Sequence, residues 1–234
     1  MANVKLIGFI VENIHYNETS EIIHLFTPSG LISIMCKGAR RYKSHKLAIS
    51  IPLTKVECIV TDTKVPNLVD YSIINNYDDI KNDLKKNLWF SFLFNFVNNI
   101  PPNSYFSNIY KLLDRILELE KSYEPSLLVS IFLIKLLKAY GVEPNFKTCV
   151  VCGSNKPEFF TTSIGGVSCK LHTAIDSKLL EEYELMKELY YLDVYNNNLD
   201  RYKNIDVKAL FEQVKLYYEY HVDLNLKMVN TLIF

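Results

Sequence analysis

The hydrophobic period changes once along this chain, near Asp78, and that change limits the fold to strands first and helices after. Upstream, short runs at 6–12, 21–27, 31–37, 53–61 and 68–74 are rich in Val, Ile, Phe and Thr, which suit a pleated, half-buried surface. Thr27-Pro28-Ser29-Gly30 is turn chemistry: proline presets φ and glycine closes the turn. Five short strands in so short a stretch predict a small five-stranded barrel of the OB type. Downstream, Ile80, Leu84, Leu88, Phe92 and Phe96 recur at helical spacing and predict a helix over 78–99, stopped by Pro101-Pro102. Further helices are expected at 104–121, 125–140, 177–192 and 207–229, with a polar break at 196–198. The third of these five helices, 125–140, is apolar on most faces and belongs at the centre of a bundle, with Gly141 as its C-cap. The fold class is α+β. Residues 1–76 form a barrel domain, and 77–234 a helical bundle domain with an inserted Cys/Gly-rich module at about 146–174.

At 234 residues, 49% hydrophobic and 22% charged, the chain has the balance of an ordinary folded protein with a sizeable core. Its formal net charge is zero, so the total announces neither a nucleic-acid nor a membrane partner. The distribution says more. No Asp or Glu occurs between Ile22 and Val56, while Lys37, Arg40, Arg41, Lys43, Lys46 and Lys55 all do. The first eight residues lack the apolar region and cleavage site of a secretory signal, and the apolar stretches at 88–97 and 127–137 fall short of the ~18–20 residues that span a bilayer. A soluble, cytoplasmic protein without a membrane partner is the expectation. Five cysteines in that setting point to reduced thiols or a metal, not a disulfide framework.

Cys149-Val-Val-Cys152-Gly153 and Cys169-Lys-Leu-His172 form two half-sites separated by sixteen residues. A two-residue gap lets both side chains of a turn converge on one ion, and Gly153 relieves the backbone where the first knuckle turns. Three thiolates and an imidazole suit tetrahedral Zn²⁺, one ion per chain. With all four positions filled by protein no water is left to activate, so the ion is expected to staple the fold. The competing reading is ordinary or redox thiols with His172 unrelated; a redox Cys-x-x-Cys does not require the second pair. Cys36 and Cys58 lie in strand-like runs and read as core fillers.

The stretch 37–46, Lys-Gly-Ala-Arg-Arg-Tyr-Lys-Ser-His-Lys, holds five fixed positive charges and no negative one. It leaves the third strand as a loop. Lys37, Arg40, Arg41, Lys43 and Lys46 can neutralise phosphates, and Tyr42 and His45 offer π-faces to an unpaired base. A solvated basic loop is the plain alternative, and RNA would suit it too. Seven glycines spell no phosphate-cradling loop, and neither a nucleophile elbow nor a His-Glu-x-x-His pattern occurs, so no enzymatic activity is expected. Isolated His15, His24 and His221 read as structural or surface residues, and the acidic pairs Asp78-Asp79 and Glu181-Glu182 as caps.

Two blocks together resemble the bacterial RecO family of recombination mediators in DNA repair. One is Gly8-Phe9-Ile10-Val11, the run 16–27, Gly30-Leu31-Ile32-Ser33 and Lys37-Gly38-Ala39-Arg40-Arg41; the other runs from Tyr140-Gly141-Val142-Glu143-Pro144 through the Cys149–Cys152 pair, Phe159-Phe160 and Gly165-Gly166 to Cys169. The resemblance covers nearly the whole chain. It implies an OB barrel, a helical bundle, a zinc module, binding of single- and double-stranded DNA, and annealing of complementary strands. It also implies partnership with RecR in loading RecA onto DNA coated by single-strand-binding protein, whose C-terminal tail such proteins recognise, and a nucleoid-associated location. Two departures stand out: many relatives have a fourth cysteine where this chain has His172, and the basic end of relatives is reduced here to Lys227. A groove near Lys135 and Lys138 is where the tail would be sought. Rival readings are an RNA-binding protein, a protein-docking scaffold without DNA activity, and a metal-dependent nuclease.

Overall fold

The computed structural model describes residues 2–102, 104–196 and 198–222. By internal contacts the chain divides into two compact units that part after Asp114. The first contains an antiparallel five-stranded sheet of order β3-β2-β1-β4-β5. Its strands are β1 (Asn3–His15), β2 (Glu21–Thr27), β3 (Gly30–Cys36), β4 (Thr54–Thr61) and β5 (Leu68–Asn75). All five expected strands are present. β1 runs longer than its apolar core because it pairs with β2 at one end and β4 at the other, with a bulge between Ile10 and Glu12. The isolated parallel bridge Met35–Asn67 adds a link from β3 to the start of β5, where the Met35 N–H donates to Pro66 O at 2.8 Å.

Burial follows the strand period. β4 alternates buried and half-buried along its whole length, and Ile10, Ile23, Leu25, Ile34, Val56 and Val60 meet on one face in a core that Leu68 and both strand cysteines complete. Residues 8–11 of β1 are buried without alternation because their second face is covered as well. There Phe9 and Phe26 pair across β1 and β2, and the Phe9 ring meets Phe94 edge-on at 6.1 Å and Tyr110 at 5.1 Å. Those partners come from helices α2 (Leu84–Asn98) and α3 (Phe106–Glu118). The helix expected over 78–99 is interrupted: α1 (Asp78–Lys81) ends at Asn82, and the Asp83 side chain accepts from the Lys86 N–H at 2.9 Å and starts α2 as its N-cap. Apolar periodicity runs straight across this break, which is why the pattern reads as one helix.

In the second unit α4 (Pro125–Leu136) is buried at every position except Lys135, which agrees with its all-round apolarity. α5 (Glu184–Tyr191) and α6 (Val207–His221) pack against it, and the Tyr218 hydroxyl donates to Leu133 O at 2.9 Å. The remainder of the expected 207–229 helix, with Lys227, lies outside the described residues. A second sheet of order β7-β6-β8 joins β6 (Phe159–Thr161), β7 (Gly166–Ser168) and β8 (Ser177–Leu179). β8 corrects the reading of 177–192 as wholly helical. Its three residues pair with β6, where the Thr161 and Ser177 hydroxyls meet at 2.6 Å, and a 3₁₀ turn over 180–183 precedes α5. No described helix is long and apolar enough to cross a membrane.

Candidate metal centre and nucleic-acid interface

The two half-sites come together. The Sγ atoms of Cys149, Cys152 and Cys169 and a ring nitrogen of His172 all lie within 4.8 Å of one another. Cys152 Sγ is 3.8 Å from Cys169 Sγ, and His172 Nδ1 is 3.3 Å from Cys169 Sγ and 3.8 Å from Cys149 Sγ. An ion at ~2.3 Å from sulfur and ~2.0–2.1 Å from nitrogen in tetrahedral geometry needs ligand separations of ~3.5–3.8 Å. The three separations above lie close to these, and the four ligand atoms are gathered as a single ion would need.

Backbone geometry builds each knuckle. Gly153 adopts φ +72°, the left-handed region, and its N–H donates to Cys149 O at 2.8 Å; the Cys149 N–H in turn donates to Ser154 O at 2.9 Å. The second knuckle closes from the His172 N–H to Cys169 O at 2.9 Å. The Cys152 backbone N–H, more than any other group, holds the Cys149 thiol down at about 6, which favours the thiolate a metal requires. Gly166 brings β7 against the first knuckle, since a Cβ there would lie 2.7 Å from Asn145 O and 2.8 Å from Val150 Cγ1. Behind it an aromatic stack of Phe146, Phe160 and Tyr183, with centroids 5.2 and 4.3 Å apart, supports the small sheet. Cys36 and Cys58 are fully buried in the first unit, where burial pushes both thiols to about 12.

The basic loop leaves β3 as a series of tight turns through Gly38 at φ +72° and Lys43 at φ +63°. It is pinned at both ends, because Ala39 and Ile49 are fully buried in the core of the first sheet. The Tyr71 hydroxyl of β5 also donates to His45 O at 2.6 Å. Lys37, Arg41, Tyr42 and Lys43 stand exposed, Tyr42 at 91%, with Lys43 Nζ 5.5 Å from the Tyr42 ring. Lys37, Arg41 and Lys43 form no salt bridge among the described residues. Arg40 is partly engaged: its Nη1 donates to Asn17 O at 3.0 Å and its Nε lies 3.9 Å from Glu21 Oε1. Lys46 is half-buried and donates to Leu68 O at 3.3 Å. Beside the loop lies a cavity of about 450 Å³ whose walls include Tyr16, Lys37, Arg41 and Asn67. Spacing did not single out Tyr16 or Asn67, which come from the β1–β2 and β4–β5 turns and meet the loop only after folding.

Lys135 is already committed. Its Nζ donates to Tyr190 O at 2.5 Å and Leu192 O at 2.6 Å, capping the end of α5, so it offers no free cation for a peptide tail. The isolated histidines hold structural contacts: His24 Nδ1 lies 3.1 Å from both Glu12 Oε2 and Asn98 Oδ1, and His221 Nε2 lies 2.6 Å from Thr162 O.

The N-terminal model of recombination protein O matches residues 1–77, and its C-terminal model matches residues 81–228. The chain belongs to the recombination protein O family. Among its relatives, "DNA repair protein RecO" of Lactobacillus acidophilus is 27% identical over 94% of this chain and 92% of its own length. Proteins of the same name from Listeria monocytogenes and a Thermoanaerobacter species are 26% and 27% identical, over 95% and 97% of this chain and 91% and 96% of their own lengths. The two matched ranges span both units and include the positions of the basic loop and the Cys/His cluster.

Proposed function

We propose that this chain carries out its family's recombination-mediator role in DNA repair by holding DNA against the loop after β3. Lys37, Arg40, Arg41, Lys43 and Lys46 supply the cations, on residues 1–76 acting as an OB-type barrel. The Met35–Asn67 bridge between the two outer strands supports closure of that barrel. The observation that carries the reading is the loop itself: three cations, exposed and without salt bridges among the described residues, on a segment pinned by Ala39 and Ile49. Phosphates of two complementary strands repel each other; cations that neutralise them lower that repulsion and leave the bases free to pair. Such annealing makes and breaks no covalent bond and needs no catalytic side chain. Partial engagement of Arg40 and Lys46 ranks them below the other three as contacts. The partners in this reading are single- and double-stranded DNA, RecR, and the C-terminal tail of single-strand-binding protein, with assistance to RecA loading in the cytoplasm.

Cys149, Cys152, Cys169 and His172 would hold one Zn²⁺, which the three sulfurs favour over hard cations. When bound, the ion ties the two knuckles together with no position left for water, a structural role within the helical domain at 77–234.

The test is the salt dependence of binding to a single-stranded oligonucleotide by the Arg41→Ala/Lys43→Ala double variant. Affinity should drop, and the slope of log K against log salt should flatten by about 1.4, since each lost phosphate contact removes about 0.7. Unchanged affinity with an unchanged slope overturns the assignment. Tighter binding of RNA than of DNA of equal length would move the reading to an RNA-binding protein.

A further inference from the structure

We infer that the cavity beside the basic loop is a subsite for one unpaired nucleotide, with its phosphate on Lys37 and Arg41 and its base against Tyr16 and Asn67. The inference rests on the DNA-binding reading above and deepens it. The cavity's volume of about 450 Å³ lies within the ~300–1,000 Å³ of small-ligand sites, so it can take one nucleotide but not a base pair with its stacked neighbours. Its walls come from three places in the sequence: the β1–β2 turn, the end of β3 with the loop it opens, and the turn before β5.

Each wall offers a group that a nucleotide satisfies. Lys37 and Arg41 are exposed cations, and among the described residues no carboxylate lines the cavity. Gly38 lies between them in the sequence at φ +72°, the left-handed region that glycine adopts readily, and this turn carries the chain from Lys37 towards Arg41. Tyr16 is 61% exposed and presents a flat ring on which any base can stack. The turn that carries it is held in shape by Asn17, whose Oδ1 accepts from the Thr19 and Ser20 N–H groups at 3.0 and 2.8 Å.

Asn67 adds the directional element. Its Oδ1 is buried and has no hydrogen-bond partner among the described residues, while its Nδ2 donates to Val65 O at 3.4 Å. A buried acceptor left unsatisfied is costly; rotation of the Asn67 amide, held by only the long contact to Val65 O, would turn it into the cavity and onto an N–H at the edge of a base. In a duplex that edge is paired and both faces of the base are stacked. Entry then requires the base to be flipped out, at a cost an unpaired strand does not bear. The cavity therefore separates single strands from duplex, which the loop's phosphate contacts alone do not.

Fluorescence anisotropy of the full chain with a labelled single strand and a duplex of equal length tests this, using Tyr16→Ala, Tyr16→Phe and Asn67→Leu variants that melt like the parent. Tyr16→Ala and Asn67→Leu should each weaken single-strand binding by about fivefold or more, with duplex affinity and salt slope unchanged, and Tyr16→Phe should restore stacking. Deoxyadenosine monophosphate should displace the single strand from the parent at high concentration and fail to bind Tyr16→Ala. Equal losses on single strand and duplex, or no loss on either, overturn the subsite while leaving the basic loop to its own salt-slope test. Saturable monophosphate binding that displaces no strand overturns it too, and makes the ligand a free nucleotide. A parent that binds neither nucleic acid defeats the DNA reading itself.

Discussion

Lys135 shows how one side chain can be misread from sequence and what its true position costs. On a helix otherwise buried at every residue it reads as a stray cation, yet it stops the last carbonyls of α5 from going unsatisfied. Burial pushes its ammonium down to about 8, with Asp193 opposing the shift. In an unfolded chain it titrates near 10.4. Between about pH 8 and about 10.4 the unfolded state holds more protons than the folded one, so this residue's contribution to stability rises with pH across that window and is flat below it. Denaturant midpoints of the parent should therefore gain on those of Lys135→Met as pH is raised from about 7.5 to about 10. Parallel profiles for the two proteins would remove Lys135 from that role. Gly166 makes a complementary point: its value is the space between Asn145 and Val150, and no local pattern announces that contact.

Among the elements, the strands of the first sheet were the most legible, because alternation and turn residues act over a few neighbouring positions. Where the expectation and the structure part, a single polar contact decides. Asp83 splits the apolar stretch 78–99 by capping α2, and the Thr161–Ser177 hydroxyl contact belongs to a strand where helix periodicity had been read. Asp83→Ala should lower stability by about 1 kcal/mol, the usual worth of an N-cap, measured by denaturant unfolding. No loss would mean that the break in the helix has another cause. The basic loop was legible as a block of charge, whereas its rigidity was not. Ala39 and Ile49 are unremarkable in the sequence and become anchors only against the core of the first sheet.

At the level of the whole molecule, net charge is zero, and what distinguishes the chain is where the charge lies. Each of the two units has its own buried core, one centred on the five-stranded sheet and one on α4. The metal ligands belong entirely to the second. Elemental analysis should find about one zinc per chain. Removing it with a chelator should raise amide exchange over residues 145–183 and leave exchange in β1–β5 unchanged. A uniform rise across both units would show that the ion supports the fold as a whole; no rise anywhere would end its structural role.

By itself the sequence determined the strands of the first sheet and the change to helices after them, the grouping of Cys149 and Cys152 with Cys169 and His172, and the block of cations after β3. All of these are set by residue types at short spacing, where backbone geometry alone brings side chains to a common face or turn. Tertiary structure decided which cations stay exposed, that Lys135 is engaged, and that Tyr16 and Asn67 share a cavity with Lys37 and Arg41. Those outcomes depend on contacts between segments tens of residues apart. Such contacts form only when a common core is buried, so no local pattern carries them.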